Sequence, residues 1–225
     1  MGEAELQPDK NQLIIHATII IYGDAANDDL AFQIATDIEK FWNDAKGKAA
    51  IRDGWFSAKT YQVRFSITGK YDAELKPETV FENTNPRNNY FRIEEYASGD
   101  ISFVDEINSN TGYFKLQNIL DNSTTAAHEF GHTLGLIHPH NLDIRGKGTP
   151  GIMYPRGTLV DPHFQYHPEV AAGEKGGTLN PFTRKVLQKD IDDLHLENLD
   201  FDKNGFAVIG GFSSVWHQKH LPEQD

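Results

Sequence analysis

Cysteine is absent from all 225 residues. Its absence removes disulfides, thiolate metal ligands and cysteine nucleophiles from any account of the chain, and leaves the redox compartment unreadable. Basic charge is scarce: 21 Lys and Arg stand against 33 Asp and Glu, a net charge of −12. Such a surface repels phosphate backbones and anionic lipid, so no nucleic-acid partner is expected. Long apolar runs are missing as well. The longest, Leu13 to Tyr22, is broken by His16 and Thr18 and falls short of the roughly 20 residues that cross a bilayer, so no membrane span is expected. Met1 to Lys10 is polar, without the apolar centre of a signal peptide. An exported or secreted protein is expected whose leader has been removed or whose export takes another route.

What is present is enough for a core. Hydrophobic residues make up 38% of the chain, with 14 Phe, 8 Tyr and 3 Trp, the composition of a folded protein. A single domain over 1–225 is expected, an N-terminal part at 11–138 and a smaller C-terminal part at 139–225. Leu13 to Ile21 is β-branched with little alternation and predicts a central strand buried on both faces. Leu30, Ile34, Ile38 and Phe41 recur at helical spacing up to a stop near Gly47, an amphipathic helix of about four turns. Tyr61 to Thr68 alternates like a half-buried strand, and Lys76 to Asn89 reads as a loop. Phe91 to Tyr96, Ile101 to Val104 and Tyr113 to Leu116 are short strand candidates. Helices are expected from about Thr124 to Leu134, and again from Asn180 as N-cap with Pro181 in the first turn and Leu187, Ile191 and Leu194 as its apolar stripe. No internal repeat is found. The layout is α+β.

Residues 128 to 138 read His-Glu-Phe-Gly-His-Thr-Leu-Gly-Leu-Ile-His. Two imidazoles four apart share one helical face and reach one ion. A catalytic zinc takes three protein ligands and leaves its fourth position to water. Gly135 follows one turn later, where glycine ends a helix in the left-handed conformation and turns the chain back, bringing His138 to the ion as third ligand. Glu129 is left free to take a proton from the water, as a general base. By composition alone, these five fixed positions co-occur in roughly one such chain in ten thousand. A helix whose histidines merely pack or cap, or a structural zinc site, is the competing reading.

This eleven-residue pattern, followed by Gly151-Ile152-Met153-Tyr154-Pro155, resembles the metzincin zinc peptidases and their methionine turn. Ala126 to His132 and Met153-Tyr154-Pro155 are similar to matrix metalloproteinases, and Pro139 after the third histidine to serralysins. The resemblance implies a metzincin-type zincin: a mixed twisted sheet with a backing helix and an active-site helix in an N-terminal lobe, and a smaller C-terminal lobe with a helix. It places Met153, one of two methionines, beneath the three imidazoles, and implies that a peptide lies along an edge strand before the active-site helix, for which Tyr113 to Leu116 is the candidate. Tyr113, Phe114, Tyr154 and Pro155 are the expected substrate contacts. Tyr154 to Tyr166 would wall the pocket for the side chain after the cut bond, and an apolar preference is expected there, no charged residue being assignable to its floor. Three features depart from the relatives. Pro155 stands where astacins and serralysins carry a tyrosine, no cysteine is present for thiol latency, and the stretch from His138 to Met153 is longer than in matrixins.

Several weaker signals have plainer readings. His140 misses the family spacing and reads as a loop histidine. His163 and His167, bracketed by Pro162 and Pro168, read as surface residues. Asp200, Asp202, Asn204 and Gly205 imitate half a calcium loop, but Gly211 stands where a bidentate Glu is required. A hairpin turn between Leu199–Phe201 and Phe206–Ile209 is the better expectation, and structural Ca2+ stays open as a second cofactor beside Zn2+. The function expected is a zinc endopeptidase acting on protein or peptide substrates, with the identity of any inhibitor or immunity protein open. Alternatives are the protease domain of a toxin or effector on a larger carrier, a non-catalytic zinc-binding module, and a hydrolase of non-peptide amides.

Overall fold

A computed structural model of the chain describes residues 1–52 and 57–222. In order, its main elements are β1 (Gly2–Gln7), β2 (Gln12–Tyr22), α1 (Asp28–Asp44), β3 (Lys48–Arg52), β4 (Ala58–Tyr71), α2 (Pro77–Phe81), β5 (Asn88–Glu94), β6 (Phe103–Val104), β7 (Thr111–Lys115), α3 (Thr125–Thr133), α4 (Gln188–Asp192) and β8 (Phe206–Ile209). The fold is α+β. A mixed sheet runs β3-β4-β2-β5-β7-β6, with β4, β2, β5 and β7 parallel and β3 and β6 antiparallel at the two ends. β1 pairs antiparallel with the first half of β2 and carries β8 on its far side.

β2 is central, as its β-branched run predicts, but its burial has two regimes. Leu13, Ile15 and Ala17 alternate with half-buried Gln12, Ile14 and His16, and continuous burial begins only at Ile19. The second face is covered only there, by a cluster of Ile20, Tyr22, Val80 and Tyr90 under Leu75 and Trp216. Val80 belongs to α2, a short helix inside the stretch expected to be a loop. Pro77 is tolerated in its first turn, and Val80 gives it an apolar anchor.

α1 begins where Asn27 Oδ1 accepts the Leu30 amide at 2.8 Å, with Asp28 and Asp29 in the first turn against the positive end of the helix dipole. Its buried stripe is Leu30, Ile34, Ile38 and Trp42, and Phe41 is only half-buried. Each such side chain contributes about 1.5–3 kcal/mol of burial. The Trp42 ring lies against Phe65 of β4 and Phe130 of α3, and its indole N–H donates to Ala127 O at 3.1 Å. This contact fixes α3 against the backing helix.

Beyond His138 the chain is mostly turns. The helix expected from Asn180 is broken: Asn180 caps one 3₁₀ turn, Pro181–Thr183, and α4 starts only at Gln188. Between them the chain is held extended, because Lys185 pairs with Gly151 and its amide donates to Pro150 O at 3.0 Å. Val186, Ile191 and Leu194 join the main core with Ile152 and Met153. Near Asp202 a turn forms in which its carboxylate accepts the amides of Asn204 and Phe206 at 2.8 and 2.9 Å. β8 then pairs with β1, not with Leu199–Phe201. No helix among the described residues is long and apolar enough to cross a membrane.

Candidate metal centre

α3 is nine residues long and buried throughout. One helical turn separates His128 from His132, so their rings meet edge to face with centroids 4.8 Å apart. The helix ends at Leu134. Gly135 takes φ +103°, its amide returns to His132 O, and the Leu136 amide returns to Gly131 O, both at 3.0 Å. These two bonds form the glycine-dependent stop that reverses the chain, and they carry His138 back over the helix.

The Nε2 of His138 lies 3.1 Å from the Nε2 of His128 and 3.1 Å from that of His132. Tetrahedral ligands on zinc at 2.0–2.1 Å stand about 3.3 Å apart, so the spacing suits a single small ion. The opposite nitrogens agree: His128 Nδ1 meets Ile152 O and His132 Nδ1 meets Leu136 O, each at 2.7 Å. A carbonyl only accepts, so both Nδ1 atoms carry the proton and both Nε2 lone pairs face the shared point. Burial holds all three imidazoles below the usual histidine range, His132 down to about 4, so they are neutral donors at physiological pH. Among the described residues this is the one such cluster of metal-ligating side chains. It can hold a metal ion such as zinc.

Glu129, beside His128 on the helix, is 7% exposed. Burial pushes its carboxyl up to about 8, against the opposing pull of Arg184, the Val104 backbone and Arg156. Val104 belongs to β6, the outermost strand. The edge expected at Tyr113 to Leu116 is therefore misplaced: β7 is an inner strand between β5 and β6. Tyr113 is fully buried, its hydroxyl donating to Tyr96 O at 2.9 Å and its ring stacked on His220, and Phe114 stacks on Phe91 inside the core. Neither side chain is open to a ligand.

Met153 is buried against the helix at Gly131. Tyr154 is half-buried and lines, with His138, Pro139, Met153 and Asp190, a cavity of about 720 Å³ beside the third histidine. Pro155 is half-buried and its carbonyl accepts the Thr158 amide at 3.1 Å. His140 and His163 are exposed outside the cluster, and His163 stacks on Phe164.

Two residues of the centre are invisible to motif reading. Asp190, on α4, accepts the Leu187 amide at 2.7 Å and the backbone of Ile152, which ties the segment before Met153 to α4. Arg184 is 4% exposed. Its Nε donates to Thr124 Oγ1 at 2.9 Å, and its Nη1 lies 3.1 Å from Tyr154 O and 3.0 Å from His128 Nδ1. Since His128 Nδ1 spends its proton on Ile152 O, the Nη1 hydrogen bond belongs to Tyr154 O.

No family model matches the chain, and no curated protein matches it.

Proposed function

We propose that the protein is a zinc-dependent endopeptidase of the metzincin kind, with His128, His132 and His138 as ligands and Glu129 as general acid and base. The observation that carries this reading is the convergence of three neutral Nε2 atoms within 3.1 Å steps, next to a buried carboxylate that none of them uses. A structural zinc needs a fourth protein ligand, and three histidines leave a position open.

Zinc bound there supplies a Lewis acid that polarises a carbonyl and lowers the pKa of water toward about 7. Glu129, whose carboxyl the charge of a bound ion would draw down from about 8, takes the proton from the attacking water and passes it to the departing amine, and its low exposure keeps that proton out of bulk solvent. Ile152 and Leu136, through their carbonyls, hold the two helical imidazoles in the ligating tautomer. The antiparallel edge Phe103–Val104, whose Val104 backbone acts on Glu129, is the strand against which an extended peptide would lie.

Incubating a denatured protein and a mixed peptide library with zinc-loaded wild type and with Glu129→Ala, and reading cut sites by mass spectrometry, tests this. Cleavage by the wild type alone is expected. Equal cleavage by both proteins, or none by either, removes the catalytic role of Glu129.

A further inference from the structure

We infer that Arg184 receives a carboxylate on the leaving-group side of the substrate, so that an Asp or Glu side chain, or a chain-terminal carboxylate, is selected at the residue following the cut bond. This inference rests on the peptidase reading above.

Arg184 is more than nine-tenths buried, yet among the described residues no carboxylate lies within ion-pair distance of it, and its Nη2 makes no hydrogen bond and is not sealed from solvent. A largely buried guanidinium with no carboxylate in contact is costly, and the planar edge that carries its free Nη2 suits the oxygens of a carboxylate. The neighbours locate the missing anion. Arg184 is bonded to the carbonyl of Tyr154, and the charges acting on it are Glu129, Arg156 and Tyr166. Tyr154, Arg156 and Tyr166 all belong to the segment expected to wall the pocket after the cut bond, and Glu129 is committed to proton transfer. In a chain of net charge −12, two arginines converge at this wall. The apolar preference expected from sequence rested on finding no charged residue at that pocket, whereas Arg184, bonded to the Tyr154 carbonyl, stands behind its expected wall.

The test uses peptides identical except for the residue after the scissile bond, Glu or Gln, with a further pair ending there as free acid or amide. For zinc-loaded wild type, kcat/KM is expected at least 10-fold higher for Glu than for Gln, and Arg184→Met should bring the ratio close to 1. Binding of the same peptides to Glu129→Ala, zinc-loaded and chelated, reads recognition without turnover. At least 10-fold tighter binding of Glu over Gln in both forms places the receptor in the protein and not in the ion. The acid and amide pair shows whether a chain terminus serves as well as a side chain. If Arg184→Met does not fold, the Glu-to-Gln ratios in wild type and Glu129→Ala decide. Ratios near 1 in both cleavage and binding overturn the inference. A binding preference without cleavage of any peptide supports the carboxylate site and sinks the peptidase reading.

Discussion

Gly131 packs directly on Met153: a Cβ at position 131 would overlap the Met153 sulfur and press on its methyl group and on Trp42. The glycine inside α3 is therefore explained by the close approach of Met153, and each residue limits the size of the other. Gly131→Ala gains up to about 1 kcal/mol in helix propensity but overpacks the contact at a cost of about 1–3 kcal/mol. A net loss of about 1 kcal/mol is expected in urea unfolding of the chelated protein. In a Met153→Ala background the same substitution should become neutral or stabilising, giving a coupling of about 1 kcal/mol or more. Additive effects would mean the two residues do not share this contact.

Zinc should stabilise the folded chain by mass action. At a free concentration 100-fold above its Kd, the gain is about 2.7 kcal/mol, which raises Tm by roughly 5–10 °C for a chain of this length. His132→Ala should abolish most of the rise, because one of the three nitrogens converging at 3.1 Å is gone. Thermal melts with and without a chelator check this. An equal rise in the variant would place the ion elsewhere.

The metal cluster was legible because its logic is local. Four residues make one helical turn, and Gly135 reverses the chain within reach of His138. α1 was legible for the same reason, through Leu30, Ile34 and Ile38. Arg184 was not, since it meets His128 across 56 positions of chain and depends on a strand-like path from Arg184 to Leu187 that Asn180 and Pro181 disguise as a helix start. The sheet edge was misplaced because Tyr113 to Leu116 is the last strand candidate before the helix of His128, whereas the two-residue β6 that covers β7 has almost no pattern to detect. β1 was missed because its stretch is polar, and its place between β2 and the distant β8 leaves no apolar run to detect.

Asp190 predicts a pH dependence. Burial raises its carboxyl from 3.8 to about 6, against the pull of the Leu187 and Ile152 backbone. From pH 4 to 6 the unfolded chain loses this proton while the folded chain keeps it, so the unfolded state binds fewer protons and stability falls as pH rises. The stability of wild type relative to Asp190→Asn should therefore drop by about 2 kcal/mol across that window and level off above it. Taking the difference cancels the opposing contribution of the buried histidines, whose lowered pKa values favour the fold as pH rises. Parallel curves for the two proteins from pH 4 to 7 would show that the Asp190 carboxyl is not raised in the fold.

Gly135 gives the sharpest test of how His138 is brought to the other two histidines. Its φ of +103° lies where side-chain-bearing residues are strained, and a Cβ there would meet the Asn108 amide oxygen. Asn108 is exposed, so its side chain swings aside at little cost and the backbone strain remains, about 1–2 kcal/mol for a left-handed alanine. Gly135→Ala should lower the stability of the chelated protein by that amount. The same strain acts on the Leu136 carbonyl, which orients His132, and on the path to His138. Zinc affinity, measured by competition with a chromogenic chelator, should therefore fall by 10-fold or more. Gly135→Ala combined with Asn108→Ala should recover little of either loss. Full recovery in the double variant would show that the steric contact, and not the left-handed turn, sets the position of His138.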